Sequence, residues 1–70
     1  MEKSSIAQRI RGFRKLKGFT QNELAEELGV SIAILGAIER GTRKPDSKMI
    51  NNISNILGIE PEELLAIASR

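Results

Sequence analysis

Apolar residues along this chain fall into five short sets, each with the three-to-four spacing of one helix face, and no stretch reads as a strand. Ile6, Ile10 and Phe13 recur at i, i+4 and i+7, with Leu16 or the stem of Lys17 extending the stripe, and predict a helix over about Ile6–Lys17. A second, over Gln21–Leu28, turns Leu24, Ala25 and Leu28 inward, and a third, over Ile32–Arg40, turns Leu35 and Ile38 inward. Met49, Ile50, Ile53, Ile56 and Leu57 stripe a fourth that starts near Asp46 or Ser47 and ends before Gly58. Pro61 opens a fifth at the first helical position, where its missing N–H is harmless. Glu62 and Glu63 sit at that helix's positive end, and Leu64, Leu65, Ile67 and Ala68 follow. The expected core gathers Leu24, Ala25, Leu28, Val30, Leu35, Ile38, Ile53 and Leu57.

The polar positions between the stripes act as punctuation. Ser5 with Gln8, and Thr20 with Glu23, are capping boxes, in which a hydroxyl takes one orphan N–H and the longer side chain returns to the cap's own N–H. Glycines follow four of the five stripes, at Gly18, Gly29, Gly41 and Gly58. The tightest joint is Leu28-Gly29-Val30-Ser31. Gly29 can take φ > 0 and end the second helix within one residue, Val30 can plug the corner, and Ser31 can cap the third helix. Two short helices so joined, over about residues 20–40, have the layout of a helix-turn-helix, which offers its second helix to the DNA major groove.

Composition narrows the field. Seventy residues make one small domain, residues 1–70, with one core. The absence of Cys and His excludes a disulfide and a Cys/His zinc site, so neither metal nor cofactor is expected and stability must rest on helix packing. No apolar run nears the ~20 residues that span a bilayer, and MEKSSIAQR lacks a signal-peptide apolar region; the expectation is a soluble cytoplasmic protein. An enzyme is not expected: there is no His, Cys or Tyr, no glycine-rich phosphate loop, and Glu26-Glu27 and Glu62-Glu63 sit where solvation explains them. No small-molecule ligand is evident.

The net charge of +2 hides segregation. Residues 1–20 hold Lys3, Arg9, Arg11, Arg14, Lys15 and Lys17, and residues 40–48 hold Arg40, Arg43, Lys44 and Lys48. Between them lie Glu23, Glu26, Glu27 and Glu39. Two basic segments flanking the third helix suit phosphates on either side of a groove.

In order and spacing, Ile10-Arg11 with Arg14, Gly18-Phe19-Thr20-Gln21, Glu23-Leu24-Ala25, Leu28-Gly29-Val30-Ser31, Ile38-Glu39-Arg40-Gly41, Lys44-Pro45, and Leu57-Gly58-Ile59 with Leu64-Leu65 resemble one family. It is the phage-repressor and Cro-type helix-turn-helix family, also called the xenobiotic-response-element family of bacterial regulators. The resemblance runs from about Ile6 to Leu65. It implies an all-α, five-helix, lambda-repressor-like domain that binds operator DNA, usually as a two-fold dimer. It further implies that Gln21, at the start of the second helix, reaches a phosphate and braces a side chain of the reading helix, a place that attracts anions. Arg14 matches a phosphate-contacting position, although pairing with Glu39 is open to it, and Glu39 matches a structural glutamate. Lys15 and Lys17 stay undecided between phosphate and solvent. Arg40, Thr42, Arg43 and Lys44 lie where the family's loop runs beside the DNA backbone.

At the groove-facing positions this chain departs from the family, which usually places Gln, Arg, Ser, Thr or Asn there. Here they are Ile32, Ala33, Gly36 and Ala37, with Ile34 at the flank, and none can hydrogen-bond a base edge. With Leu35 and Ile38 inward, the helix is apolar almost all round, a pattern that usually means burial. Three readings stand: a groove helix that reads thymine methyls and shape, with Ser31 and Thr42 as nearest polar readers; a helix covered by a protein partner or second protomer; and a sequence altered from a DNA-binding parent. The first is preferred.

The expected function is therefore a sequence-specific DNA-binding regulator that represses by occupying its operator. The alternative is an antitoxin-like or regulator-partner module whose third helix binds protein. A lone domain touches too few base pairs to find one genomic site, whereas two copies on a palindrome solve this by symmetry. Leu64, Leu65, Ile67 and Ala68 cannot all face one core from a two-turn helix. Leu65, Ile67 and Ala68, with the Gly58–Pro61 turn, are accordingly the expected homodimer surface.

Overall fold

The computed structural model describes residues 5–65. It contains α1 (Ile6–Leu16), α2 (Gln21–Leu28), α3 (Ile32–Arg40), α4 (Ser47–Leu57) and α5 (Pro61–Leu65), with no strand among those residues. Ile67 and Ala68, expected at the homodimer surface, lie outside the described residues.

The caps form where short-range chemistry dictates. Both capping boxes close: the Ser5 and Thr20 hydroxyls accept from the N–H groups of Gln8 and Glu23, at 3.2 and 3.1 Å. The Gln8 and Glu23 side chains in turn accept from the N–H groups of Ser5 and Thr20. Ser31 caps α3 through the Ile34 N–H, and Asp46 caps α4 through the Met49 N–H at 2.8 Å. Gly29 ends α2 with φ of 74°, a conformation that strains any other residue except Asn or Asp. It lets the chain turn at once into the Ser31 cap, which sets the short helix-turn-helix corner.

α1 packs on α3, α4 and α5, while α2 packs on α3 and α4. Ile10, Leu24, Ala25, Leu35, Ile38, Ile53, Leu57 and Leu64 form the core where these faces meet. Leu28 and Val30 stand at its edge, half-buried where full burial was expected, because they line the corner next to solvent. Leu16 departs further: it is 75% exposed and does not extend the α1 stripe. The buried face of α1 runs through Ala7, Ile10 and Arg14, so its third member is a cation.

Leu35 is fully buried, which fixes the facing of α3 and turns Ile32, Ala33 and Ala37 outward. Leu35→Ala is expected to cost ~2–5 kcal/mol, as core truncations do. A urea titration followed by circular dichroism measures the loss.

Candidate nucleic-acid interface

One buried polar cluster ties α1, α2 and α3 together. The Arg14 guanidinium donates from Nε to Glu39 Oε2 at 2.7 Å and from Nη2 to Glu39 Oε1 at 3.1 Å, a bidentate pair. Its Nη1 donates to the Phe19 carbonyl at 2.8 Å, which holds the α1–α2 turn. Gln21 Nε2 donates to Glu39 Oε1 at 3.1 Å, so the first residue of α2 grips the last turn of α3. Arg14 and Glu39 are each 7% exposed.

This geometry corrects the expectation for Arg14. Its guanidinium is buried and engaged at all three nitrogens, so it braces the motif from within and does not reach for a phosphate. Gln21 makes the bracing contact to the reading helix that the family resemblance implied, and its start-of-helix position leaves it at the rim of an open cleft. That cleft, about 470 Å³, is lined by Arg11, Arg14, Gln21, Glu39 and Arg40. Arg14–Glu39 is the only salt bridge among the described residues, so Arg11 and Arg40 leave the cleft positive.

Arg11, absent from the expected contacts, also lines this cleft. The signal was its place one turn before Arg14, which puts both on the same side of α1.

Gly36 is corrected as well. It is buried and does not face a groove: a Cβ there would stand 3.2 Å from Arg40 Nη1 and within 4.0 Å of the Gln21 amide. The Arg40 side chain thus folds back over the glycine and lies against α3, beside Gln21.

On the other flank of α3, the loop carrying Arg43, Lys44 and Pro45 lies against Ile34 and Ile38. The Ala37 carbonyl anchors it, accepting from the N–H groups of Thr42 and Arg43 at 3.0 and 3.2 Å and from the Thr42 hydroxyl at 3.2 Å. The Arg40, Thr42, Arg43 and Lys44 side chains are exposed.

Between the flanks lies the outward face of α3. Ser31 and Ala33 are exposed, Ile32 is 44% exposed, and Ala37 is half-buried. The helix is therefore not buried all round, despite its composition. Among the described residues, no group of acidic side chains could hold a metal, and no helix is long and apolar enough to cross a membrane.

Three variants test the bracing cluster and the glycine beside it. Removing one partner of a buried ion pair costs ~3–5 kcal/mol, and a domain of this size has only ~3–5 kcal/mol to lose. Glu39→Ala is expected to leave the protein largely unfolded at 25 °C by circular dichroism, whereas Arg14→Met with Glu39→Leu restores the fold. Gly36→Ala is expected to stabilise by roughly 0.5–1 kcal/mol in thermal unfolding, because the helix gains a better former and only the mobile end of Arg40 must yield.

Comparison with known proteins identifies the family and the fold. The helix-turn-helix family pattern matches residues 10–64. YazB of Bacillus subtilis, an uncharacterised helix-turn-helix-type transcriptional regulator, is 48% identical over 64 residues, 91% of this chain and 93% of YazB. SinR of Bacillus subtilis is 38% identical over 61 residues, but this chain spans only 55% of SinR. A crystal structure of SinR, described as the master regulator for biofilm formation, in complex with DNA, superposes with a TM-score of 0.80 at 38% identity, covering 86% of this chain and 97% of that one. The DNA-binding domain of the P22 c2 repressor gives 0.86 at 29% identity, covering 93% and 86%. With the buried brace, the exposed α3 face and its two basic flanks in place, the chain belongs to the phage-repressor and Cro-type helix-turn-helix family of DNA-binding transcriptional regulators.

Proposed function

We propose that this protein is a repressor that occupies operator DNA as a homodimer, with α3 in the major groove. The observation that carries the reading is the placement of cations on both flanks of one exposed helix face. Arg11, Arg40 and Gln21 stand on one side, and Thr42, Arg43 and Lys44 on the other. A duplex groove presents the complement, two rows of phosphates with base edges between them. Ser31, Ile32, Ala33 and Ala37 then meet the bases, while the flanks hold the backbone. Occupancy of the operator excludes or repositions polymerase. Selection of bound sites from a random duplex pool tests this directly and is expected to return related half-sites about 10 bp apart, centre to centre.

Backbone contacts release counterions, so affinity should fall steeply with salt. Arg43→Ala and Lys44→Ala are each expected to weaken binding to all sequences alike and to reduce the slope of log affinity against log salt by ~0.9. Fluorescence anisotropy at a series of salt concentrations reads both effects.

Support for the homodimer comes from α5, where Leu64 is fully buried and its neighbour Leu65 is 48% exposed. A two-fold interface repeats one patch on both subunits, so a single change there acts twice. Leu65→Glu is expected to give a folded monomer in sedimentation with much weaker operator affinity. An unmodified protein that stays monomeric at high concentration, free and on DNA, defeats the homodimer.

A further inference from the structure

We propose that the exposed face of α3 recognises DNA through the C5-methyl groups of pyrimidines, so that thymine and 5-methylcytosine are each favoured over their unmethylated counterparts, uracil and cytosine. The inference rests on the DNA-binding reading above and names what that site selects.

It follows from what each side chain around α3 has left to offer. Ile32, Ala33 and Ala37 present only hydrocarbon. The Arg40 guanidinium, the polar group best suited to guanine, folds back over Gly36 towards Gln21 and the backbone cleft. The Thr42 hydroxyl gives its proton to the Ala37 carbonyl, and the Ser31 hydroxyl takes the Ile34 N–H. The Ser31 proton and the Thr42 lone pairs remain, but neither hydroxyl carries the forked pair of groups that a bidentate contact to guanine or adenine needs. Hydrocarbon can still distinguish one feature of the major groove, the methyl at pyrimidine C5, which thymine carries and cytosine gains on methylation. Ile32, 44% exposed, is the largest apolar group on the face and the natural contact for that methyl.

A polar duplex suits this surface better than a protein partner does. The apolar strip is narrow and lies between Arg11 and Arg40 on one flank and Arg43 and Lys44 on the other. DNA offers isolated methyls between two lines of negative charge, which matches both features at once.

Burying one methyl is worth about fourfold in affinity, from ~0.8 kcal/mol per buried methyl-sized group and ~1.4 kcal/mol per tenfold. The test uses a site selected from a random duplex pool, resynthesised at each thymine in turn with uracil, with 5-methylcytosine opposite guanine, or with cytosine opposite guanine. At the contacted position the expected order of affinity is thymine, then 5-methylcytosine, then uracil and cytosine, with each methyl worth about fourfold and the salt slope unchanged. In Ile32→Ala, a change at an exposed first helical position that leaves the core intact, the thymine–uracil difference is expected to shrink towards unity. Hydrogen-bond readout predicts uracil equal to thymine and both ahead of 5-methylcytosine and cytosine, since uracil keeps every donor and acceptor of thymine and 5-methylcytosine exchanges them. Salt-sensitive binding with uracil equal to thymine at every position, or with 5-methylcytosine weaker than uracil, overturns the inference and leaves the DNA-binding reading intact. Failure to enrich any duplex overturns both.

Discussion

The pair between Arg14 and Glu39 is the interaction on which the arrangement of the first three helices depends. It brings a cation and an anion out of water on the faces of two helices that would otherwise meet through hydrocarbon alone. Such a pair adds little net stability, because desolvation offsets much of the attraction. What it supplies is direction. A bidentate guanidinium–carboxylate contact accepts one relative orientation of the two planes. Here the third guanidinium nitrogen donates to the Phe19 carbonyl, and the carboxylate takes a further bond from Gln21. The start of α2, the end of α3 and the turn after α1 are thereby referred to a single carboxylate. An apolar core alone would tolerate sliding between α2 and α3, and the angle at which α3 is presented would drift with it.

Most of the architecture was legible in the sequence because it is governed locally. A hydroxyl three residues before a glutamate or glutamine, or a glycine after an apolar stripe, acts through neighbouring backbone groups, and Thr20–Glu23 and Gly29 behave as their spacing requires. The misreadings were all matters of tertiary surroundings. Arg14 looks like any other arginine in a basic helix until Glu39 and the Phe19 carbonyl converge on it. Gly36 reads as a small residue offered to a groove until Arg40 is seen lying across it. Leu16 fits the apolar period but falls where α1 runs past its neighbours, so nothing covers it. Periodicity reports which face a residue occupies; it is silent about where the opposing surface ends.

The interface divides its tasks unevenly. Its cations sit on an open cleft and an anchored loop, whereas the helix between them is hydrocarbon. On the proposed reading, affinity is largely electrostatic and insensitive to sequence, and discrimination falls to shape and to small apolar contacts worth less per base than bidentate hydrogen bonds. In the proposed homodimer, two symmetric copies would double a modest discrimination per half-site without any new side chain.

Gly36 shapes this surface through the space it leaves open. With no side chain at that position, Arg40 can lie flat against the helix and act as part of the backbone cleft. A larger side chain there would fill the space the guanidinium occupies and turn it outward, towards the face now held by Ile32, Ala33 and Ala37. A single position thus governs where the Arg40 side chain lies, and it does so without involving the core, the caps or the Arg14–Glu39 brace.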